Sequence, residues 1–386
     1  MPFVKQENEV SGVIVLGGHV QALGITRAFG RLKIPVLIID YRAGNISRHS
    51  KYCSGSCIVS DEKLLDFLRG LIRDNKYPGW VIFPTNDFHV QLLSQNKQEL
   101  ESHFKVTTDS WGSIRIFYNK TETYTLAKSL GIPIADTFFP ESEDQLKDIH
   151  PVFPCIIKPA VMHDFYRQVK KKVFVCNDPN ELAENYRKAC KLIPANEIIV
   201  QNIITGPSRN QFSACFLFLN GKTYVAFTAC RMRQHPLDFG NATTYAETVE
   251  NPLLLEYGEK ILRAANYNGL CEVEFKKDDT DGGFKFLEVN TRTWKWHSIA
   301  EKAGTPFLEN YYRFLMGEKI EVVNGFRKAA FRHALTDIPM QIKLMLKGYG
   351  YAFRKKRPVV DAVWSWHDMK PYFWEKLYIL SFLRHR

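Results

Sequence analysis

Short apolar runs open the chain: Val13-Ile14-Val15-Leu16, then Val36-Leu37-Ile38-Ile39 ending in Asp40, and later Trp80-Val81-Ile82-Phe83-Pro84. Runs of this length with no polar interruption predict strands buried on both faces. The stretch after Gly17-Gly18-His19 continues helically to Arg31, and strands alternating with helices predict a parallel α/β domain. Ligands on such sheets gather at the carboxyl ends of the strands, which places Gly17, Gly18, Asp40 and Thr85-Asn86-Asp87 near one crevice. Gly17-Gly18-x₅-Gly24 departs from the G-x-G-x-x-G spacing of dinucleotide sites, so a tight strand-to-helix turn is expected there. Asp87 is either a helix N-cap or a substrate contact.

From about residue 116 the pattern changes. Asn119-Lys120-Thr121 opens a helix that runs to Leu130 and is stopped by Gly131-Ile132-Pro133. Pro151 to Pro159 predicts a strand ending in Lys158, a position too apolar in its approach for an ordinary surface lysine. Glu197 to Ile204 predicts another strand, and Phe212–Leu219 with Lys222–Cys230 a hairpin closed by Asn220-Gly221. A helix over 251–266 leads to two further strand-like runs, Leu270–Lys276 and Phe284–Arg292.

Side chains alternate across a strand, so Glu272 and Glu274 share a face, as do Glu288, Asn290 and Arg292. Pairing the two runs as a hairpin with Glu274 opposite Glu288 also sets Glu272 opposite Asn290 and leaves a loop of 279–283. Opposed residues are roughly 4.5–5.5 Å apart at Cβ, where like charges repel. Two carboxylates and an amide oxygen so placed suit a hard cation such as Mg²⁺; a solvated acidic face is the plainer reading.

The composition, 45% hydrophobic and 24% charged, is that of an ordinary globular protein long enough for two or three domains. No apolar run approaches a bilayer span, and Met1 to Val10 is too polar for a secretory signal. Eight cysteines are scattered, mostly inside apolar runs, which suits reduced thiols in the cytoplasm. Cys53-x₃-Cys57 lacks the partners of a zinc set. Of the net charge of +11, residues 319–386 hold +9, with 14 Lys+Arg against 5 Asp+Glu. The rest is nearly neutral, which argues against a uniformly basic nucleic-acid binder.

Taken in chain order, Asn119-Lys120, Phe153-Pro154-x₃-Lys158-Pro159, Val200-Gln201-Asn202-Ile203-Ile204, Glu274 and Glu288-x-Asn290-x-Arg292 resemble the ATP-grasp superfamily over about residues 10–318. Arg231-Met232-Arg233-Gln234-x-Pro236 and Phe239-Gly240 are similar to its predicted carboxylate–amine ligase branch, to which D-aspartate ligase and enzymes encoded with cell-surface polysaccharide genes belong. The fold implied is α/β and α+β. A Rossmann-like pre-ATP-grasp domain (1–115) precedes a two-lobed ATP-grasp domain (116–318, lobes about 116–199 and 200–318) and a basic C-terminal extension (319–386).

The resemblance also implies roles. Lys120 and Lys158 would contact the α- and β-phosphates of ATP, and Gln201, Asn202, Ile203 and Ile204 would frame the adenine. Glu274, Glu288 and Asn290 would hold Mg²⁺, or Mn²⁺ in its place. Arg292 would stabilise an acyl-phosphate and its tetrahedral adduct, and Arg231 and Arg233 would grip phosphate or substrate carboxylate. The implied activity joins a small carboxylate to an amine or a thiol, in modification of cell-surface polysaccharide or cell-wall precursors. A small-molecule kinase on the same fold and a non-catalytic nucleotide-sensing module are the alternatives. One departure stands out: the stretch 161–172, where relatives carry a glycine-rich phosphate loop, has no glycine and contains Lys170-Lys171-Lys172.

The tail carries Arg354-Lys355-Lys356-Arg357 and Trp364, Trp366 and Trp374. Either it packs on the catalytic body, its tryptophans completing a core, or it seats weakly on an anionic membrane face, peripheral to the inner leaflet. Apolar residues without a long clean stripe favour packing.

Overall fold

The computed structural model describes residues 11–161, 173–236, 242–348 and 357–384. The stretch 162–172, Phe239-Gly240 and Arg354-Lys355-Lys356 lie outside them.

The first sheet is parallel, in the order β3-β2-β1-β4-β5, with β1 Val13–Leu16, β2 Val36–Asp40, β3 Gly55–Ile58, β4 Val81–Pro84 and β5 Lys105–Val106. Strand order reverses between β1 and β4, so the crevice at their carboxyl ends is the switch point where doubly wound sheets bind ligands. Gly17 turns the chain there with φ of 104°, and a Cβ on it would strike Thr85. Thr85 Oγ1 donates to Leu16 O across the same gap at 2.6 Å. The helix Val20–Arg31 follows the turn, as expected.

A second, antiparallel sheet runs β6-β9-β7-β8, from β6 Thr137–Phe138, β7 Cys155–Pro159, β8 Phe174–Cys176 and β9 Ile198–Asn202. The third runs β14-β13-β10-β11-β12-β15-β16, from β10 Gln211–Leu219, β11 Lys222–His235, β12 Ala242–Thr248, β13 Gly269–Lys277, β14 Phe284–Asn290, β15 Ala330–Arg332 and β16 Val359–Asp361. Asn220 and Gly221, both at positive φ, close the β10–β11 turn. Phe216, Phe218, Cys271, Val273 and Phe275 bury one face of this sheet against the helix Pro252–Ala264, while Leu217, Phe227 and Trp294 bury the other.

The expected boundaries do not interrupt these elements. The helix Trp111–Tyr118 spans 115, β9 spans 199, and the large sheet continues past 318. β15 pairs with β12 through Tyr245↔Arg332, and β16 pairs with β15. The tail also reaches the first domain: Arg27 Nε donates to Asp368 Oδ2 at 2.9 Å, in a pair almost fully removed from water. The stretch expected to pack on the catalytic body thus supplies the last two strands of the large sheet and a buried tie to the helix Val20–Arg31.

Candidate active site

β13 and β14 pair antiparallel with Glu274↔Glu288 and Glu272↔Asn290, the register expected from alternation. Beyond that point the expectation needs correcting. The next pair is Phe275↔Phe286, so Leu287 is an extra, bulged residue and the ladder reaches Lys277↔Phe284, leaving 278–283 as the loop. Strict alternation would put Phe286 on the face of Glu288. The bulge instead turns Phe286 into the core, 1% exposed, and leaves Leu287 with Glu288 on the cleft wall.

The acids are held by neighbouring donors. Glu274 accepts from Arg231 Nη2 at 3.2 Å, from Asn290 Nδ2 at 3.1 Å and from Gln211 Nε2. Glu272 accepts from Ser213 Oγ at 2.8 Å and from Asn290 Nδ2 at 3.1 Å. Burial, then the charge of Glu274, pushes Glu272 up to about 8. Among the described residues no three His, Cys, Asp or Glu side chains form a ready-made metal cage. Mg²⁺, however, is commonly bound by one or two carboxylates with substrate phosphates completing the shell. Facing carboxylates, an amide, and a third acid buried beside them form a donor set that fits such an ion.

Two lysines reach the same cleft from other elements. Asn119 caps the helix Lys120–Ser129 by accepting from Thr121 N at 2.9 Å, which sets Lys120 in its first turn. Lys120 Nζ donates to Glu288 Oε2 at 2.6 Å. Burial opposes its charge, but Glu288, Tyr124 and Asp87 together outweigh burial and hold the ammonium above its ordinary pKa. Lys158, at the end of β7, is 8% exposed and donates to Tyr124 OH and Gln201 Oε1, both at 2.7 Å. Gln201 Nε2 in turn donates to Thr137 Oγ1 at 2.7 Å. The Gln201 side chain therefore orients Lys158, leaving backbone and the flanking Ile203 and Ile204 at the cleft. Asn202 is likewise engaged, bonding Asp136 Oδ2 and Val152 N.

The arginines divide. Arg292 Nε donates to Asp87 Oδ1 at 2.7 Å and Nη2 to Asn290 Oδ1 at 3.2 Å, so it joins the acidic hairpin to the switch-point crevice. Asn86, which accepts from His89 N, is the N-cap of the helix Asp87–Gln95, and this frees Asp87 for Arg292. Arg231 belongs to the site through Glu274. Arg233 does not: it is 3% exposed, forks onto both oxygens of Asp337 at 2.7 and 2.8 Å, and stacks on Tyr245. The β11 register shifts between Arg231 and Arg233, which sends Arg233 to the helix Ala334–Leu346 instead of the cleft.

Lys120, Lys158, Arg231, Glu274, Glu288, Asn290 and Arg292, with residues 201–204, line one cleft of about 610 Å³. It also includes Tyr124, Lys276 and Lys295, which motif reasoning passed over, and Glu272, which it placed on the acidic face without a role. Tyr124 follows Lys120 by one helical turn and Lys276 follows Glu274 by one strand period, so both carried a periodic signal. Lys295 lies past the end of β14, where no period applies. Burial lowers its pKa to about 8.

A parallel switch-point sheet, a small antiparallel sheet bearing Lys158, and a larger sheet bearing the acidic hairpin together constitute the ATP-grasp fold. Residues 242–323 match the family described as carbamoyl-phosphate synthase L chain, ATP binding domain, a span that contains Glu272, Glu274, Glu288, Asn290 and Arg292. The chain is 24% identical over 366 residues to D-aspartate ligase of Enterococcus faecium (strain Aus0004), covering 84% of this chain and 85% of that protein. Its structure is similar to biotin carboxylase of Campylobacter jejuni (TM-score 0.66, 14% identity, 83% of this chain and 74% of that one). It is also similar to L-amino acid ligase of Bacillus licheniformis (TM-score 0.60, 16% identity, 79% and 74%). No helix among the described residues is long and apolar enough to cross a membrane.

Proposed function

We propose that this protein is an ATP- and Mg²⁺-dependent ligase that joins a small carboxylate to an amine through an acyl-phosphate. The observation that carries this reading is Glu274 facing Glu288 across adjacent strands, with Lys120 and Arg231 bound to them. Such repulsion is hard to account for in a surface hairpin, and the similarity to two amino-acid ligases points the same way.

In this reading, residues 116–318 hold the nucleotide. Lys120 and Lys158 contact its phosphates as point charges, and Lys158 is aimed by Tyr124 and Gln201. The backbone of 201–204 reads the adenine edge between Ile203 and Ile204. Glu274, Glu288 and Asn290 would hold Mg²⁺, which when bound withdraws charge from the transferring phosphoryl group. An oxygen of the substrate carboxylate attacks the γ-phosphorus as the bond to ADP breaks. The amine then attacks the acyl carbon and inorganic phosphate leaves. Arg292 donates to the oxyanion of that adduct from a position fixed by Asp87 and Asn290. No protein nucleophile is needed. The resemblance stated above suggests a cell-wall or cell-surface polysaccharide precursor as the acceptor.

The test is ADP release with Mg²⁺ across amino acids and sugar acids in pairs, with mass spectrometry of the products. An amide-type product and its loss in Glu288→Gln are expected. A phosphorylated single substrate would make the protein a kinase, and nucleotide binding with no turnover for any pair would make it a sensor.

A further inference from the structure

The helix Ala334–Leu346 is apolar on both sides. Asp337, Met340 and Leu344 face inward and are buried. Ile338 and Ile342 are each 50% exposed, Met345 49% and Leu346 80%. The spacing i, i+4, i+7, i+8 is one continuous stripe on the outer side. A helix apolar all round belongs in a core or against lipid, and here one side lacks any cover among the described residues. The helix Lys370–Arg384 repeats the feature with Phe373 and Leu377, both more than half exposed, beside Trp374. His333, just before the first helix, bonds Glu375 of the second at 2.8 Å and ties the two together.

The charges around these faces have one sign. Lys343, Lys347, Lys370 and Lys376 are exposed beside the apolar residues. Asp337 turns inward to Arg233, and Glu375 is engaged by His333. The outward surface is therefore basic and apolar, without an exposed acid among the described residues of either helix. A second copy of the chain would bring the same positive charge to such a contact and be repelled. An anionic bilayer surface supplies both the opposite charge and a place for the apolar side chains.

We propose that these two helices form a peripheral docking surface for anionic lipid headgroups, with Ile342 and Leu346 entering the headgroup boundary and the lysines meeting phosphate. The tail thus combines both readings of its sequence: its inner residues pack on the body and its outer ones stay available. This proposal is independent of the catalytic reading.

Flotation of the full chain with phosphatidylcholine vesicles, with and without phosphatidylglycerol, at low and high salt, tests it. Recovery is expected only with the anionic vesicles at low salt. Ile342→Glu combined with Leu346→Glu should abolish recovery while far-ultraviolet circular dichroism stays unchanged. Lys343→Gln should weaken partitioning about fivefold, the equivalent of the ~1 kcal/mol that a basic residue gains at an anionic surface. Absence of recovery with anionic vesicles at low salt overturns the proposal. So does equal recovery with neutral vesicles, or a dimer by light scattering that Ile342→Glu dissociates, which would assign the face to a second copy.

Discussion

Arg292 and Asp87 form an ion pair of 2.7 Å between the acidic hairpin and the carboxyl end of β4. The bond ties together residues 205 apart in sequence. Asp87 is 58% exposed in its side chain, so the pair adds little to stability, within ~1 kcal/mol for an exposed pair. Its consequence is placement of the guanidinium. Asp87→Ala should leave the unfolding midpoint nearly unchanged and lower kcat on the order of tenfold to a hundredfold, since small misplacements of catalytic groups cost that much. Equilibrium binding of ATP should not change. Turnover equal to wild type would remove Arg292 from the reacting centre.

Lys158 has its ammonium held by Tyr124 and Gln201 at the end of a buried strand. Lys158→Met keeps the length of the side chain and its packing while deleting the charge. ATP affinity should fall on the order of tenfold to a hundredfold, as expected for losing one charge-assisted contact of about 1.5–3 kcal/mol. Calorimetric titration with a non-hydrolysable nucleotide reads this directly, and an unchanged Kd would mean that Lys158 serves packing alone.

Arg233 and Asp337 make the opposite case. Both are buried, and each satisfies the other's charge. Removing only one partner should destabilise the protein by about 3–5 kcal/mol, because the remaining charge stays out of water. Arg233→Ala is expected to show this in urea unfolding, with specific activity per folded molecule retained. Arg231→Ala should do the reverse, reducing turnover at smaller cost to stability. An Arg233→Ala protein that is stable but inactive would return Arg233 to the site.

Asp40, at the end of β2, accepts from Tyr41 N through Oδ1, while Oδ2 is buried with no hydrogen-bond partner. Burial raises its pKa from 3.8 to about 6. The folded state therefore holds this proton more tightly than the unfolded one. The resulting stability is complete below the unfolded value and is lost as pH rises through the folded value. Between roughly pH 4 and 6 the contribution of this residue should decline, and Asp40→Asn should flatten that part of the curve. Chemical denaturation at closely spaced pH values checks this, and identical slopes in the two proteins would contradict it.

Much of this was legible in one dimension wherever a rule of period or turn chemistry acted locally. The alternation of Glu272, Glu274, Glu288 and Asn290 set their shared face and their register, because a one-residue slip would turn the carboxylates into the apolar core and Val273 and Val289 toward the cleft. Asn119 and Gly131 marked the ends of a helix, and Asn220-Gly221 a hairpin. The bulge at Leu287 was not legible, since it answers to Phe286 seeking a core built by Tyr124 and Phe275, residues distant in the chain. Arg231 and Arg233 looked equivalent on paper. A register shift in β11 and the arrival of Asp337 from the tail separated them.

The amino-acid sequence by itself determined the strands, their faces and the oxygen donors gathered on one hairpin, because alternation, capping and turn preferences act over a few residues. Tertiary packing alone decided which donors neutralise those acids: Lys120 and Arg231 arrive from separate elements, and Asp87 settles Arg292 from the end of the parallel sheet. It also decided that the basic tail completes the large sheet while leaving an apolar face outward. Charge pairing and burial depend on distances through space, which spacing along the chain does not record.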